Sequence, residues 1–262
     1  MTGPIVVTGA ASGIGLALVQ RLRASSIDVI GIDRNECLVP GVPTVRCDLA
    51  DPASIREATR QLPASIGGLA NIAGVAGTAP ARIVLAVNVF APQLLVAELL
   101  PRMAAGAAIV NVASVAAQRN TQPPEAIAEL AVADGPTDLD AWLHAHPIDG
   151  SAAYDTSKRV LVDWTRALAA HLIVRRIRAL TVSPGPVETP ILADFTASMG
   201  AEAMSRSADA VGRHGLPDEI AAVVAFALSP DASWVNGIDI PVEGGLFATR
   251  SAPFPALKGL SR

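Results

Sequence analysis

Residues 5–22 read Ile5-Val-Val-Thr-Gly-Ala-Ala-Ser-Gly-Ile-Gly-Leu-Ala-Leu-Val-Gln-Arg-Leu22, and their order decides the fold. Ile5 to Thr8 is a β-branched run of strand type, Gly9 to Gly15 a glycine-rich turn, and Leu16 to Leu22 an amphipathic stretch of helix type. Strand, glycine turn and helix in that order form the context of a dinucleotide site. Glycine lets the backbone turn sharply and approach a pyrophosphate, and the helix N-terminus offers unpaired N–H groups to its charge. Gly9, Ser12, Gly13, Ile14 and Gly15 are the cofactor contacts expected at this end.

The next apolar run, Val29-Ile-Gly-Ile32, closes on Asp33. A carboxylate at the end of a second strand accepts both ribose hydroxyls of an adenosine and repels a 2′-phosphate, which favours NAD(H) over NADP(H). Arg34 follows directly and offers that phosphate a partner, so the preference is not absolute.

Further along, apolar runs alternate with helix-period segments, as in a parallel sheet covered on both faces. Strands are expected at about 3–8, 28–32, 43–46, 68–72, 107–113, 176–183 and 238–243. Helices are expected at about 13–25, 52–62, 88–104, 152–172 and 217–228. The fold class is therefore α/β, a doubly wound parallel sheet in a single domain spanning 1–262. In such sheets ligands bind beyond the carboxyl ends of the strands, where Gly9, Asp33, Asn71, Ser114 and Pro184 all fall.

Tyr154 and Lys158 are four residues apart in the helical stretch 152–172, so they share one face about a turn apart. A phenol is a poor acid or base near neutrality, and a nearby cation favours the phenolate. The pair is thus a candidate for proton transfer, with Lys158 expected to lower the Tyr154 pKa.

Composition narrows the classes. The chain has 262 residues, 51% of them hydrophobic, and a net charge of −4, which gives no basic surface for nucleic acid. We see no apolar run of bilayer-spanning length and no leader before Ile5, so a soluble, cytoplasmic protein without membrane contacts is expected. Cys37 and Cys47 are too few for a disulfide framework or metal cluster and read as free thiols. No metal site is expected; of the four histidines, His144, His146, His171 and His214, the alternating His144 and His146 read as surface residues and not ligands.

The motifs Thr8-Gly9-x-x-x-Gly13-x-Gly15 and Tyr154-x-x-x-Lys158, taken together, resemble the short-chain dehydrogenase/reductase family, over about residues 3–245. The resemblance implies a Rossmann-type fold, NAD as cofactor, and a catalytic tetrad of Ser114, Tyr154, Lys158 and Asn88. It implies further cofactor contacts at Asp48 and Leu49, at Asn71, Ala73 and Gly74 of Asn71-Ile-Ala-Gly74, and at Pro184, Gly185, Val187 and Thr189. Tyr154 and Lys158 would also touch the cofactor. In the implied chemistry a ketone accepts a hydride while Tyr154 donates a proton, Ser114 hydrogen-bonds the substrate oxygen, and Lys158 hydrogen-bonds the nicotinamide ribose. Asn88 would hold a water leading to Lys158.

Ser114 and Tyr154 are farther apart than is common in that family. The surplus, about 118–150, reads as an insertion with helices at Pro124 to Ala133 and Leu139 to Leu143. Much of the family packs its Tyr-bearing helix against a partner subunit. A homo-oligomer, dimer or tetramer, with an interface altered by the insertion is therefore expected. With Gly31-Ile-Asp33-Arg, Val187-Glu-Thr-Pro190 and Ser229 to Gly237, the insertion resembles bacterial 3α-hydroxysteroid dehydrogenase/carbonyl reductases. That implies a secondary alcohol/ketone substrate of apolar cyclic type, such as a hydroxysteroid. A diol, dihydrodiol or small-alcohol dehydrogenase and a non-catalytic dinucleotide-binding scaffold are the alternatives. Residues 191–215 read as a lid, with Leu192, Phe195, Met199, Met204 and Trp142 as candidate apolar lining; no Arg or Lys is clearly placed for a substrate carboxylate.

Overall fold

The computed structural model describes residues 3–250. The side chains of Met199, Ala201, Ala203 and Met204, and the C-terminal tail from Ser251, lie outside the described residues, and with them the expected lining roles of Met199 and Met204.

Seven strands form one sheet: β1 (Ile5–Thr8), β2 (Val29–Asp33), β3 (Thr44–Arg46), β4 (Ile66–Asn71), β5 (Met103–Val112), β6 (Arg178–Pro184) and β7 (Asp239–Val242). Their order is β3-β2-β1-β4-β5-β6-β7 and every pairing is parallel. The order reverses between β1 and β4, which opens a crevice at their carboxyl ends. This is the doubly wound, Rossmann-type sheet that the alternating runs imply.

Strand alternation sorts the core into two layers. Ile5 and Val7 point to the face covered by α1 (Gly13–Ala24) and α10 (Pro217–Leu228), while Val6 points to the opposite face. That second face is covered by α2 (Pro52–Arg60), α4 (Ala91–Leu99) and α7 (Gly150–Leu172), through Ile55, Leu95, Leu99, Ala169 and Leu172. Asp51 caps α2 by accepting from the Ala53 N–H, and Pro52 sits where a helix needs no N–H. Asp149 caps α7 in the same way at the Ala152 N–H, so that helix begins two residues earlier than expected.

Three expectations need correction. The helix expected from 88 begins at Ala81 and runs, through α3 (Ala81–Leu85), a π-helical turn (Ala86–Phe90), α4 and a 3₁₀ turn, to Arg102. By length and composition this 22-residue run could cross a membrane, contrary to the reading of no such run. Its apolarity has another use: the run is wedged between the sheet, α2 and α7, so it is apolar on more than one side, and more than half of it is buried. β5 in turn begins at Met103, which pairs with Ile66; the register then shifts, so that Gly68 pairs with Ala108 and the residues between Met103 and Ala108 bulge out of the pairing.

Between β5 and α7 lie α5 (Pro124–Val132) and α6 (Pro136–Ala145), which pack on α7 and α3. Trp142, expected as a lining candidate, is instead core: it is 5% exposed and its indole N–H donates to the Ala126 carbonyl. His146, expected at the surface, is half-buried, with its ring 4.8 Å from that of Trp142 and Nε2 3.4 Å from Glu129. The expected lid holds two helices, α8 (Leu192–Met199) and α9 (Ala201–Val211), and α11 (Leu246–Arg250) ends the described chain.

Candidate active site

The carboxyl ends of the strands open into a cleft of about 510 Å³. Its floor is the glycine turn after β1. Gly9 and Gly13 hold positive φ (70° and 52°), the region that favours glycine, and a Cβ at Gly15 would land on the Gly9 carbonyl. Ser12 flanks α1 without a side-chain cap, which leaves the first-turn N–H groups to serve a ligand. The cradle therefore fits a pyrophosphate in both shape and charge.

At the end of β2, Asp33 accepts from the Ala11 N–H (3.0 Å) and the Asn35 N–H (2.9 Å). It thus braces the glycine turn while facing the cleft, and a carboxylate has sites left for hydroxyl donors. Thr8 braces the next strand, its Oγ1 accepting from the Ile72 and Ala73 N–H groups. Ser12, Ile14, Asp48, Leu49, Ala73, Gly74, Pro184, Gly185, Val187 and Thr189 line the same cleft. Thr189 closes over the glycine turn: a Cβ at Gly13 would lie 3.3 Å from its methyl group.

Two expected site residues do not line the cleft. Asn71 points into the sheet, where its Nδ2 donates to Asn111 Oδ1 (2.8 Å) and Asn111 passes the chain on to Thr165 Oγ1. Strand alternation turns Asn71 inward, and the cleft is reached by the backbone and side chains of the three residues after it. Asn88 is 1% exposed in the π-helical turn. Its carboxamide accepts from the Val75 N–H and donates to the Val75 carbonyl and to Ser157 Oγ, so it ties the 72–75 turn to α7.

Ser114, Tyr154 and Lys158 come together on the cleft wall. Ser114 precedes the 3₁₀ turn Val115–Arg119 and caps it by accepting from the Ala116 N–H. Lys158 is 4% exposed, donates to the Val112 carbonyl (3.0 Å), and lies 5.6 Å from the Tyr154 ring centroid. Burial brings its pKa down to about 8. The Tyr154 phenol is pushed up to about 12 by its own burial, against a hydrogen bond with Ser114 and the charge of Arg119, which pull it down. This corrects the expectation that Lys158 lowers the Tyr154 pKa. In the protein alone, desolvation is the largest influence and the cation acting on the phenol is Arg119.

Phe195 from α8 meets the Tyr154 ring edge-on at 5.0 Å. Leu192 does not line the cleft, whereas Ile83, Val87, Ile191 and Arg119, none of them picked from sequence, do. For Arg119 the available signal was its position, five residues after Ser114. Among the described residues no group of three or more His, Cys, Asp or Glu could hold a metal, and Cys37 and Cys47 are buried free thiols.

Comparison with known proteins gives concordant results. A family model described as short chain dehydrogenase matches residues 4–124, and one described as enoyl-(acyl carrier protein) reductase matches residues 141–247. The chain is 39% identical over 246 residues to coniferyl-alcohol dehydrogenase of Pseudomonas sp. (strain HR199 / DSM 7063), covering 94% of this chain and 96% of that protein. It is 31% identical to the 3-alpha-hydroxysteroid dehydrogenase/carbonyl reductase of Comamonas testosteroni, covering 93% and 96%. Among solved structures, the 3-alpha-hydroxysteroid dehydrogenase from Pseudomonas sp. B-0831 complexed with NADH superposes with a TM-score of 0.82. The two share 30% identity, over 97% of this chain and all of the other.

Proposed function

The chain belongs to the short-chain dehydrogenase/reductase family of oxidoreductases, and on that premise we propose that it interconverts an alcohol and a carbonyl compound with NAD(H), on a substrate built around an apolar ring. One observation carries the reading: Ser114, Tyr154 and Lys158 line one wall of a cleft whose floor is the glycine turn. When bound, a nicotinamide dinucleotide supplies the hydride acceptor or donor. The glycine turn and the N-terminus of α1 would hold its pyrophosphate, and Asp33 its adenosine ribose, which supports NAD(H) over NADP(H).

The chain's own residues then divide the work. Tyr154 Oη exchanges a proton with the substrate oxygen, accepting it in oxidation and donating it in reduction. Ser114 Oγ hydrogen-bonds the same oxygen where charge develops. Lys158 would hydrogen-bond the ribose next to the reacting ring and so fix where that ring sits. Asn88 positions Lys158 indirectly, through Ser157 and the 72–75 turn. We assign α8 and α9 the role of a lid, supported by Phe195 lying against Tyr154.

The substrate reading has two branches. Ile83, Val87, Ile191 and Phe195 favour a flat apolar body over a sugar or keto acid. The greater likeness to the coniferyl-alcohol enzyme favours an aryl alcohol first. A hydroxysteroid, the branch supported by the other relative and by the solved structure, comes second. We also read the protein as a cytoplasmic homo-oligomer of single-domain subunits in which α5, packed along α7, alters the contact that α7 makes with a partner. Assembly through a bare α7 face would contradict that reading.

The test follows absorbance at 340 nm with NAD⁺ and NADP⁺ in turn, over cinnamyl-type alcohols, hydroxysteroids, dihydrodiols and small cyclic alcohols. NAD⁺-dependent turnover of a cinnamyl-type alcohol or a hydroxysteroid is expected and separates the two branches. Turnover of small diols alone would remove the apolar-ring reading, and a preference for NADP⁺ would remove the role given to Asp33.

A further inference from the structure

Arg119 and Asp155 form an ion pair at the cleft, with Arg119 Nε 3.0 Å from Asp155 Oδ2 and one terminal nitrogen 2.6 Å from Oδ1. A two-point guanidinium–carboxylate contact fixes orientation as well as distance. The two ends of this pair occupy special places. Arg119 closes the 3₁₀ turn that Ser114 begins, and Asp155 is the residue after Tyr154 on α7. A second tie runs beside it, from Thr156 Oγ1 to Asn120 Oδ1 at 3.0 Å. The segment carrying one hydroxyl is therefore fastened to the helix carrying the other, next to both of them. Arg119 itself lines the cleft, and Asp155 is largely covered, its side chain 15% exposed.

The pair sits at the turn of α7 that carries Tyr154, and its two charges act on that phenol with opposite sign. Around Tyr154 the charged and titratable groups are Lys158 and Asp155 on its own helix and Arg119 from the 3₁₀ turn, with the Ser114 hydroxyl beside it. α8 meets it with Phe195, and its Asp194 is exposed. α5 and α6 turn Ile127, Leu130, Leu139 and Trp142 toward this core, while Glu129 and His146 pair with each other on the outer side.

We propose that Arg119, held by Asp155, is a positioning residue for the oxidoreductase reaction: it keeps the Ser114 and Tyr154 hydroxyls in register and sets the proton affinity of Tyr154 with its charge. The proposal rests on the alcohol/carbonyl reading above. Burial leaves Tyr154 a weak acid; the Arg119 charge works against that burial and Asp155 works with it. A clamp alone would make the two partners equivalent, because removing either breaks the same contact. A clamp that also sets charge makes them opposite.

Tyr154 is the chain's only tyrosine, so tyrosinate absorbance at 295 nm reports on it without any substrate. The test compares wild type, Arg119→Met, Arg119→Lys and Asp155→Asn, each checked for fold by circular dichroism. Tyrosinate absorbance is read at about pH 11, and kcat/KM for alcohol oxidation is followed against pH. Removing a neighbouring charge should move the phenol by about one pH unit. Arg119→Met should give several-fold less tyrosinate than wild type and an activity limb moved to higher pH. Asp155→Asn should give several-fold more tyrosinate and a limb moved to lower pH, and Arg119→Lys should restore the wild-type midpoint. Equal losses of kcat in Arg119→Met and Asp155→Asn, with tyrosinate and limb unmoved, would overturn the proposal and leave a structural clamp. Tyrosinate shifts of opposite sign in a protein that oxidises nothing in the panel would support the charge assignment and count against the activity reading instead.

Discussion

The two halves of the cleft are made of different material. The half proposed to hold the cofactor, from Gly9 to Gly15, Asp33 and the 72–74 turn, is built from backbone atoms whose N–H groups donate to the Thr8 hydroxyl and the Asp33 carboxylate. The half proposed for the substrate, with Arg119, Ile191, Phe195 and Tyr154, is built from side chains that meet across long stretches of sequence. A backbone cradle tolerates many side chains around it but no change in its own shape. A side-chain wall keeps its place through packing and can be altered residue by residue, which is how one fold serves many substrates.

That contrast can be broken most severely at Gly15. A Cβ there has only backbone to push against, so Gly15→Ala forces the turn open at a cost of roughly 3 kcal/mol. The expected result is a loss of NADH affinity of about 100-fold, measured by NADH fluorescence, together with a lower melting temperature. Unchanged affinity would mean that the glycine turn does not hold the cofactor.

Lys158 sits at the seam of the halves and carries a buried charge that donates to the Val112 carbonyl. Lys158→Met should abolish turnover yet raise stability at pH 7 by about 1–3 kcal/mol in denaturant unfolding. The sign follows from the depressed pKa. Between about 8, where the folded protein releases the proton, and 10.5, where the unfolded chain does, the unfolded state binds more protons. Wild-type stability from this group therefore rises with pH through that window, and the advantage of the methionine variant shrinks across it.

The smallest effect is expected at Phe195. Phe195→Ala removes an edge-on ring from the Tyr154 wall and should raise KM for a ring-bearing alcohol by up to about 10-fold. NADH affinity should stay within about 2-fold, and a parallel loss of cofactor binding would dissolve the division between the halves.

Sequence legibility followed the same division. Gly9 to Gly15 and Asp33 could be read because a local motif and a strand end determine where backbone goes. Asn71 and Asn88 were read as site residues from motif position alone. Asn71 turns away from the cleft because strand alternation, not marked in the motif, decides its orientation, while Asn88 is buried behind the wall, beside Gly74 and Lys158. Trp142 looked like lining and is core, since burial depends on which helix lands on it. The Tyr154 pKa was beyond reach for a related reason. Spacing gives the distance to Lys158, whereas the desolvation that dominates comes from residues brought in by the fold. Arg119 became visible only once the 3₁₀ turn carried it back to α7.

The most direct test of the account pairs two measurements on Tyr154→Phe: NADH affinity by fluorescence and single-turnover NADH formation with an alcohol that wild type oxidises. The account predicts affinity within a few-fold of wild type and a rate lower by about 10²- to 10⁴-fold, the loss of one proton-transfer group. A rate close to wild type would contradict it.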